Sequence, residues 1–322
     1  MSDPNKDLLS SLSELAVPYS DTDKLTTMDL PDGFRSRLDD AAVIGLGEAS
    51  HGTQEFSELR FHLIRLLVEE FGVQAVAFEA PFHQFIQIGE RVTAGTGDIR
   101  SVLTEMDGYR PMRTAPIADL FEWLQSLNSD RPAEDHVHVY GFDTTIIADA
   151  AIGIEPYLDR FGADIEASLR DDLETMRAGY DSEDERQALL ESARRVYSTV
   201  PPMLDANESA WVEAESRRAY ERVRHRLNLI EVQIEAHERD PKGRHALRDE
   251  TMAKNVEWIH DRSTSPVVIW GANTHLGRGR HILDEWDVDI PARRVVRRPV
   301  LSGSLRNRGR EGGREGLCRG SS

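Results

Sequence analysis

The chain has 322 residues, enough for a large buried core, and its 39% hydrophobic content excludes a wholly disordered protein. Acids outnumber bases 57 to 39, for a net charge of -18, which opposes nucleic-acid binding. No apolar run approaches the ~18 residues of a membrane span, so no membrane partner is expected.

The start, MSDPNKDLLS, lacks the basic and apolar segments of a secretion signal, so a cytoplasmic location is expected. A single cysteine, Cys318, excludes an intrachain disulfide framework and a thiolate-rich metal site. Only four lysines are present, Lys6, Lys24, Lys242 and Lys254, and with the acidity this composition suggests a salt-loving host. The charge divides unevenly. Residues 291–322 carry nine Arg against two Glu, a net of +7, which leaves -25 for residues 1–290. We therefore expect an acidic domain over 1–290 and a basic, Gly/Arg-rich, disordered tail over 291–322.

Taken in chain order, Ala41 to Gly47 reads as a buried strand running into a glycine loop. A helix follows, with Thr53 as N-cap, Phe56, Leu59, Leu63, Leu66 and Leu67 as its buried stripe, and Gly72 as its stop. Val73 to Phe78 reads as a second strand. Strand, helix and strand make a βαβ unit, which predicts two parallel, neighbouring strands. Residues 81–115, with Gly95, Gly97, Gly108 and Pro111, read as a long, irregular or partly helical connection. The segment IADLFEWLQSLNSD reads as a helix and His136 to Gly141 as a third strand, with His136 and His138 as packing residues. A helical insertion or cap is predicted over 154–240. One face is Leu158, Ile165, Leu169, Leu173 and Met176; another is Trp211, Tyr220, Val223, Leu227, Ile230 and Ile234. A helix ALRDETMAKNVEWIHD follows the break at DPKG, and Val267 to Trp270 is a fourth strand. The expected fold is α/β, a mostly parallel sheet flanked by helices with a long-helix elaboration.

Ligands of a parallel sheet bind beyond the carboxyl ends of its strands. There the sequence places Glu48 and His51 after the first strand, Glu79 and then His83 after the second, and Asp143 after the third. Asn273, His275 and Arg278 follow the fourth, and Arg60 lies in the first helix within reach of the same rim. A histidine beside a carboxylate suits proton transfer near neutral pH. His51 with Glu48 or Glu79 fits that role, His275 is a second acid or base, and Arg60 is a candidate oxyanion donor. His83, Asp143, Asn273 and Arg278 are candidate supporting residues. No G-x-S-x-G elbow is present, which favours activated water over an acyl-enzyme. The spacing leaves a second reading open: Glu48, His51, Glu79 and His275 as ligands of a hydrolytic metal ion. No organic cofactor is expected, since no dinucleotide or Walker-type glycine run occurs.

The segment GLGEASHGTQEFSELRFHLIRLLVEEFGVQAVAFEA closely resembles the opening signature of the erythromycin esterase family. GFD, LRDETMAKNVEWI and VVIWGANTHLGR resemble its later motifs, in order, over about residues 38–280. The resemblance implies an α/β hydrolase with a helical portion over a cleft, acting on a small-molecule ester or lactone without a metal. It carries the family's essential histidine to His51, its glutamates to Glu48 and Glu79, its arginine to Arg60 and its later histidine to His275. It also connects the chain to antibiotic response through the macrolide-opening members. GANTH departs from the family's pattern of a histidine before the asparagine. Members continue with further strands, whereas here a Gly/Arg-rich stretch follows, as a truncation or frameshift near residue 290 would produce. A weakly active or non-catalytic binding or stress-associated homologue is the corresponding alternative function.

Overall fold

The computed structural model describes residues 33–105, 112–144, 147–162 and 165–276. Arg278, Cys318 and the basic tail lie outside the described residues.

Four strands form one fully parallel sheet: β1 (Val43–Glu48), β2 (Ala75–Pro81), β3 (His138–Asp143) and β4 (Val267–Ala272), in the order β1-β4-β2-β3. The expectation that β1 and β2 are neighbours is corrected here. They are parallel, but β4 lies between them, pairing Val267 with Val43 on one side and with Ala75 on the other. The handedness rule fixes the sense of a crossover, not the adjacency of its strands. β4 takes the central position with buried Val267, Val268, Ile269 and Trp270, the continuous apolar run expected of a strand covered on both faces.

Between β1 and β2 runs α2 (Gln54–Phe71), after the one-turn-and-a-half helix α1 (Phe34–Asp39). Thr53 occupies the N-cap position without a side-chain cap bond, and Gly72 ends the helix in the left-handed region at φ 65°. The buried face of α2 is rotated from the expected stripe. Ser57, Arg60, Ile64, Leu66, Leu67 and Val68 face inward, so Leu66 and Leu67 of the expected stripe are buried, whereas Leu59 and Leu63 are half-buried and Phe56 is exposed. The connection expected to be irregular or partly helical is helical over most of its described length: α3 (Phe82–Ala94) and α4 (Ile99–Glu105), before α5 (Ala115–Ser129). Of the glycines that suggested loops, Gly95 caps α3 and Gly97 lies between α3 and α4, while Gly108 lies outside the described residues. Gly89, within α3, lets that helix press onto the Val139 carbonyl of β3.

After β3 come α6 (Ile147–Ile152), α7 (Ile154–Arg160), α8 (Ala167–Ala178), α9 (Glu183–Ala214) and α10 (Arg217–Glu238). Helix α9 opens on a capping box: Ser182 Oγ accepts from the Glu185 N–H, and the Glu185 carboxylate accepts from the Ser182 N–H. It continues through Pro201 and Pro202, with Val200 and Leu204 fully buried on either side. Helix α11 (Pro241–His260) begins at the DPKG segment, with Asp240 as N-cap and Pro241 in the first turn. The four-residue turn α12 (Asn273–Leu276) follows β4.

Side chains alternate across the sheet. Val76, Phe78, Val268 and Trp270 pack under α2 to α5. Ala75, Ala77, Val267 and Ile269 face Met252, Val256 and Ile259 of α11. The helices from α6 to α10 close around a core of their own, including Leu158, Leu173, Leu189, Leu204, Trp211 and Leu227. No helix among the described residues is long and apolar enough to cross a membrane.

Candidate active site

β1 and β3 end on Glu48 and Asp143, Glu79 lies two residues before the end of β2, β4 runs into the turn that begins at Asn273, and the four ends form one rim. Glu48, the last residue of β1, is 5% exposed. Its Oε1 accepts from His51 Nδ1–H at 2.5 Å, and its Oε2 accepts from the indole N–H of Trp270 on β4 at 3.2 Å. Arg60 Nη1 lies 3.6 Å from Oε2. The rest of the Arg60 guanidinium donates to the backbone carbonyls of Phe56, Leu46 and Gly47, and stacks near the Trp270 ring. Burial lowers the Arg60 pKa, against the raising influence of Glu48. Arg60 thus ties α2 to the end of β1 and is engaged with backbone oxygens, where the sequence suggested an oxyanion donor. The His51 side chain is 37% exposed, so it stands at the mouth of the rim with one face against a buried carboxylate.

A second group forms at the ends of β2, β3 and β4. Glu79 is 3% exposed; its Oε2 accepts the Ala272 N–H at 2.7 Å, and its Oε1 lies 3.4 Å from His275 Nε2. Gly271 makes room for it, because a Cβ there would meet the Glu79 carboxylate at 3.1 Å. Asp143 is 1% exposed and receives both Nε (2.9 Å) and Nη2 (2.7 Å) of Arg248 from α11, together with the Thr144 N–H. Arg248 Nη2 also reaches Glu79 Oε1 at 3.3 Å. His275 Nδ1–H donates to Asp249 Oδ1 at 2.8 Å. Burial lowers the His275 pKa, but the bond to Asp249 and the charges of Glu79 and Asp249 outweigh it, so the net shift is upward. Burial likewise opposes the charge on Arg248, and the bonds and charges of Asp143, Glu79 and Asp249 raise its pKa overall.

β4 joins the two groups, since Trp270 holds Glu48 and Ala272 holds Glu79. Asn273, exposed at the start of α12, stands against Gly47, where a Cβ would clash with its amide. His83 takes no part. It is 7% exposed, and neither ring nitrogen meets a hydrogen-bond partner among the described residues. Burial, with the nearby charges of Arg226 and His225, lowers its pKa well below the usual value. His136 precedes β3 and bonds the Arg131 carbonyl; His138 opens β3, beside Thr93 and Arg218, with its pKa lowered by burial to about 3. The four residues of the metal reading separate into a Glu48–His51 pair and a Glu79–His275 pair. Among the described residues no three His, Cys, Asp or Glu side chains form a metal-holding group.

Arg248 and Asp249 were not singled out in the sequence, although they belong to this site. The available signal was helical spacing. Arg248 and Asn255 lie seven residues apart on one face of α11, and Asn255 donates to the Phe142 carbonyl while accepting from His225.

The chain is 22% identical over 270 residues to the Bacillus subtilis (strain 168) protein named "Putative hydrolase YbfO", covering 76% of this chain and 58% of that protein. It therefore spans less than two thirds of that relative's length. A solved structure of a Bacillus cereus protein matches at 18% identity and TM-score 0.69, covering 88% of this chain and 69% of that one. The structure of a succinoglycan biosynthesis protein matches at 19% identity and TM-score 0.67, covering 87% and 69%. A histidine-to-asparagine mutant of the erythromycin esterase EreC, in its open conformation, matches at 16% and TM-score 0.52, covering 79% and 65%. The model of the family described as erythromycin esterase matches residues 68–288, which include Glu79, Asp143, Arg248, Asp249 and His275 and follow Glu48, His51 and Arg60. The chain belongs to the erythromycin esterase family.

Proposed function

We propose that the protein hydrolyses a carboxylic ester or lactone by adding a water molecule activated at His51. The observation that carries this reading is the His51 Nδ1–Glu48 Oε1 bond of 2.5 Å at the mouth of the rim. A buried carboxylate at one ring nitrogen orients the imidazole and fixes its tautomer, which leaves the other nitrogen free to accept a proton. That nitrogen takes a proton from water as the oxygen attacks the carbonyl carbon. The carbonyl π pair moves onto oxygen, and collapse of the resulting oxyanion breaks the bond to the alkoxide. His275, whose raised pKa favours the protonated ring, gives its Nε2 proton to the departing alkoxide. Arg60 and Trp270 fix Glu48, and Asp249 fixes His275. Membership of the erythromycin esterase family supports the reaction type.

The test is hydrolysis of 4-nitrophenyl esters and lactones by the purified full chain, alongside His51→Ala. We expect kcat/KM to fall by about 10³-fold or more with the unfolding transition unchanged. An unaltered rate in His51→Ala, or no turnover of any ester or lactone by the native chain, would overturn the proposal.

A further inference from the structure

A cleft opens beside the rim, between α10 and the first turns of α11. Its inner part, about 210 Å³, is lined by Thr144, Arg244, His245 and Arg248 among others. Its outer part, about 610 Å³, is lined by Arg186 and His237. Gln233 and Arg244 line both parts, so the two are continuous. Arg248 lines the inner part and clamps Asp143 and Glu79, which places the cleft beside those two carboxylates of the rim.

The chain carries 57 acids, yet among the described residues no Asp or Glu lines either part. The cationic groups there differ in availability. Arg186 is engaged by Glu183, Arg248 by Asp143, and His237 Nδ1 by the Gln233 carbonyl. Arg244 is exposed and makes no ion pair or side-chain hydrogen bond among the described residues. Elsewhere on the surface acids neutralise most arginines: Arg100 meets Asp119 and Glu122, Arg170 meets Glu155 and Asp159, and Arg224 meets Asp205, while Arg37, Arg91 and Arg131, which meet no acid among the described residues, line neither part of the cleft. An uncompensated guanidinium shared by both parts of an acid-free cleft leaves its charge for a ligand.

We infer that this cleft binds the anionic end of the substrate, a carboxylate or phosphate carried by the molecule whose ester is cleaved, with Arg244 as its binding residue. The inference rests on the hydrolase reading above for what happens to the ester, but not for the anion site itself.

Two measurements on the full chain at low salt test it, each on the native protein, Arg244→Glu and Arg244→Lys. The first compares the mono-4-nitrophenyl ester of glutaric acid with neutral 4-nitrophenyl butyrate. We expect Arg244→Glu to raise KM for the anionic ester about tenfold or more, with kcat and the butyrate KM unchanged and Arg244→Lys close to native. The second titrates glutarate and inorganic phosphate calorimetrically. Binding of either that is lost in Arg244→Glu supports the site, and the stronger of the two identifies the anion. If no ester turns over while anion binding still depends on Arg244, the hydrolase reading falls and the anion site stands. If esters turn over and both measurements are indifferent to Arg244, the anion site falls and the hydrolase reading stands.

Discussion

The rim and the helical insertion use the same charged residues in opposite ways. In the insertion the core is apolar, with Leu173, Leu189 and Leu204 fully buried, and most charges stay outside, Asp172 and Arg226 being the exceptions. Several of its ion pairs are solvated: Arg194 and Glu238 are 46% and 58% exposed, Arg217 and Glu208 54% and 43%. At the rim the carboxylates of Glu48, Glu79 and Asp143 are inside, and their partners are fixed donors: an indole, backbone N–H groups and the Arg248 guanidinium. Desolvating a carboxylate costs several kcal/mol, so such a cluster does not assemble for stability. The insertion shows what this sequence does with charge when only folding is at stake. The rim shows a departure from that pattern at the strand ends, where a parallel sheet presents ligand-binding groups.

The largest stability effect is therefore expected from removing the one cation that serves two buried carboxylates. Arg248→Met leaves Asp143 without a cation and Glu79 with only His275 nearby, although each keeps one backbone N–H. We expect a loss of about 3–5 kcal/mol in urea unfolding at neutral pH. A loss below about 1 kcal/mol would mean that the rim carboxylates are as well solvated as the surface pairs.

A smaller effect comes from histidines held neutral where the insertion meets the sheet. His225 of α10 donates to Asn255 of α11 and packs between Phe82 and Trp258, with ring centroids 4.4 and 4.6 Å away. Burial lowers its pKa to about 4. The unfolded chain takes up a proton near pH 6.5 and the folded chain does not, so this contribution is complete above pH 6.5 and is lost as pH falls towards 4. His83 and His138 are shifted in the same direction. His275 is shifted upward and acts oppositely, its contribution being present below pH 6.5 and lost as pH rises through its folded-state pKa. Between pH 6.5 and 5 the His225 term is worth about 1–2 kcal/mol. His225→Gln should flatten the acid side of the stability profile by about that amount, read from urea midpoints at pH 7 and pH 5. Parallel profiles for the two proteins would place the proton uptake elsewhere.

The four strands were legible because each is a short apolar run ending at a glycine or an acid. Their ends lie beyond the expected ones because Glu48 and Asp143 still pair in the sheet, which the apolar pattern alone does not register. The position of β4 was hidden, since nothing local in Val267 to Ala272 encodes which strands flank it. Helices α3 and α4 were obscured by glycines that serve packing and caps. At the site, Glu48, Glu79, Asp143 and His275 were visible as polar residues just after apolar runs. Arg248 and Asp249 were not, because adjacent opposite charges on a helix ordinarily form a solvated face. Arg60 was visible, but its many backbone acceptors depend on how α2 packs over β1.

The smallest expected effect lies in the insertion itself. Arg194 on α9 donates to Glu238 on α10 at 2.6 Å, a pair that looks as good by distance as Arg248 with Asp143 at 2.7 Å. Distance is the wrong criterion here. Both partners are about half exposed, so water already solvates them in the folded state and again when the pair is broken. The long side chains also regain rotamer freedom on separation, which offsets part of the attraction. Arg194→Ala should cost no more than about 0.5 kcal/mol at moderate salt, and less still as ionic strength rises. If urea unfolding gave a loss above about 1.5 kcal/mol that persisted in high salt, the surface pairs of α9 and α10 would be acting as a desolvated network. The contrast between insertion and rim would then be one of degree, and the burial of charge at the strand ends would lose its force as a marker of the site.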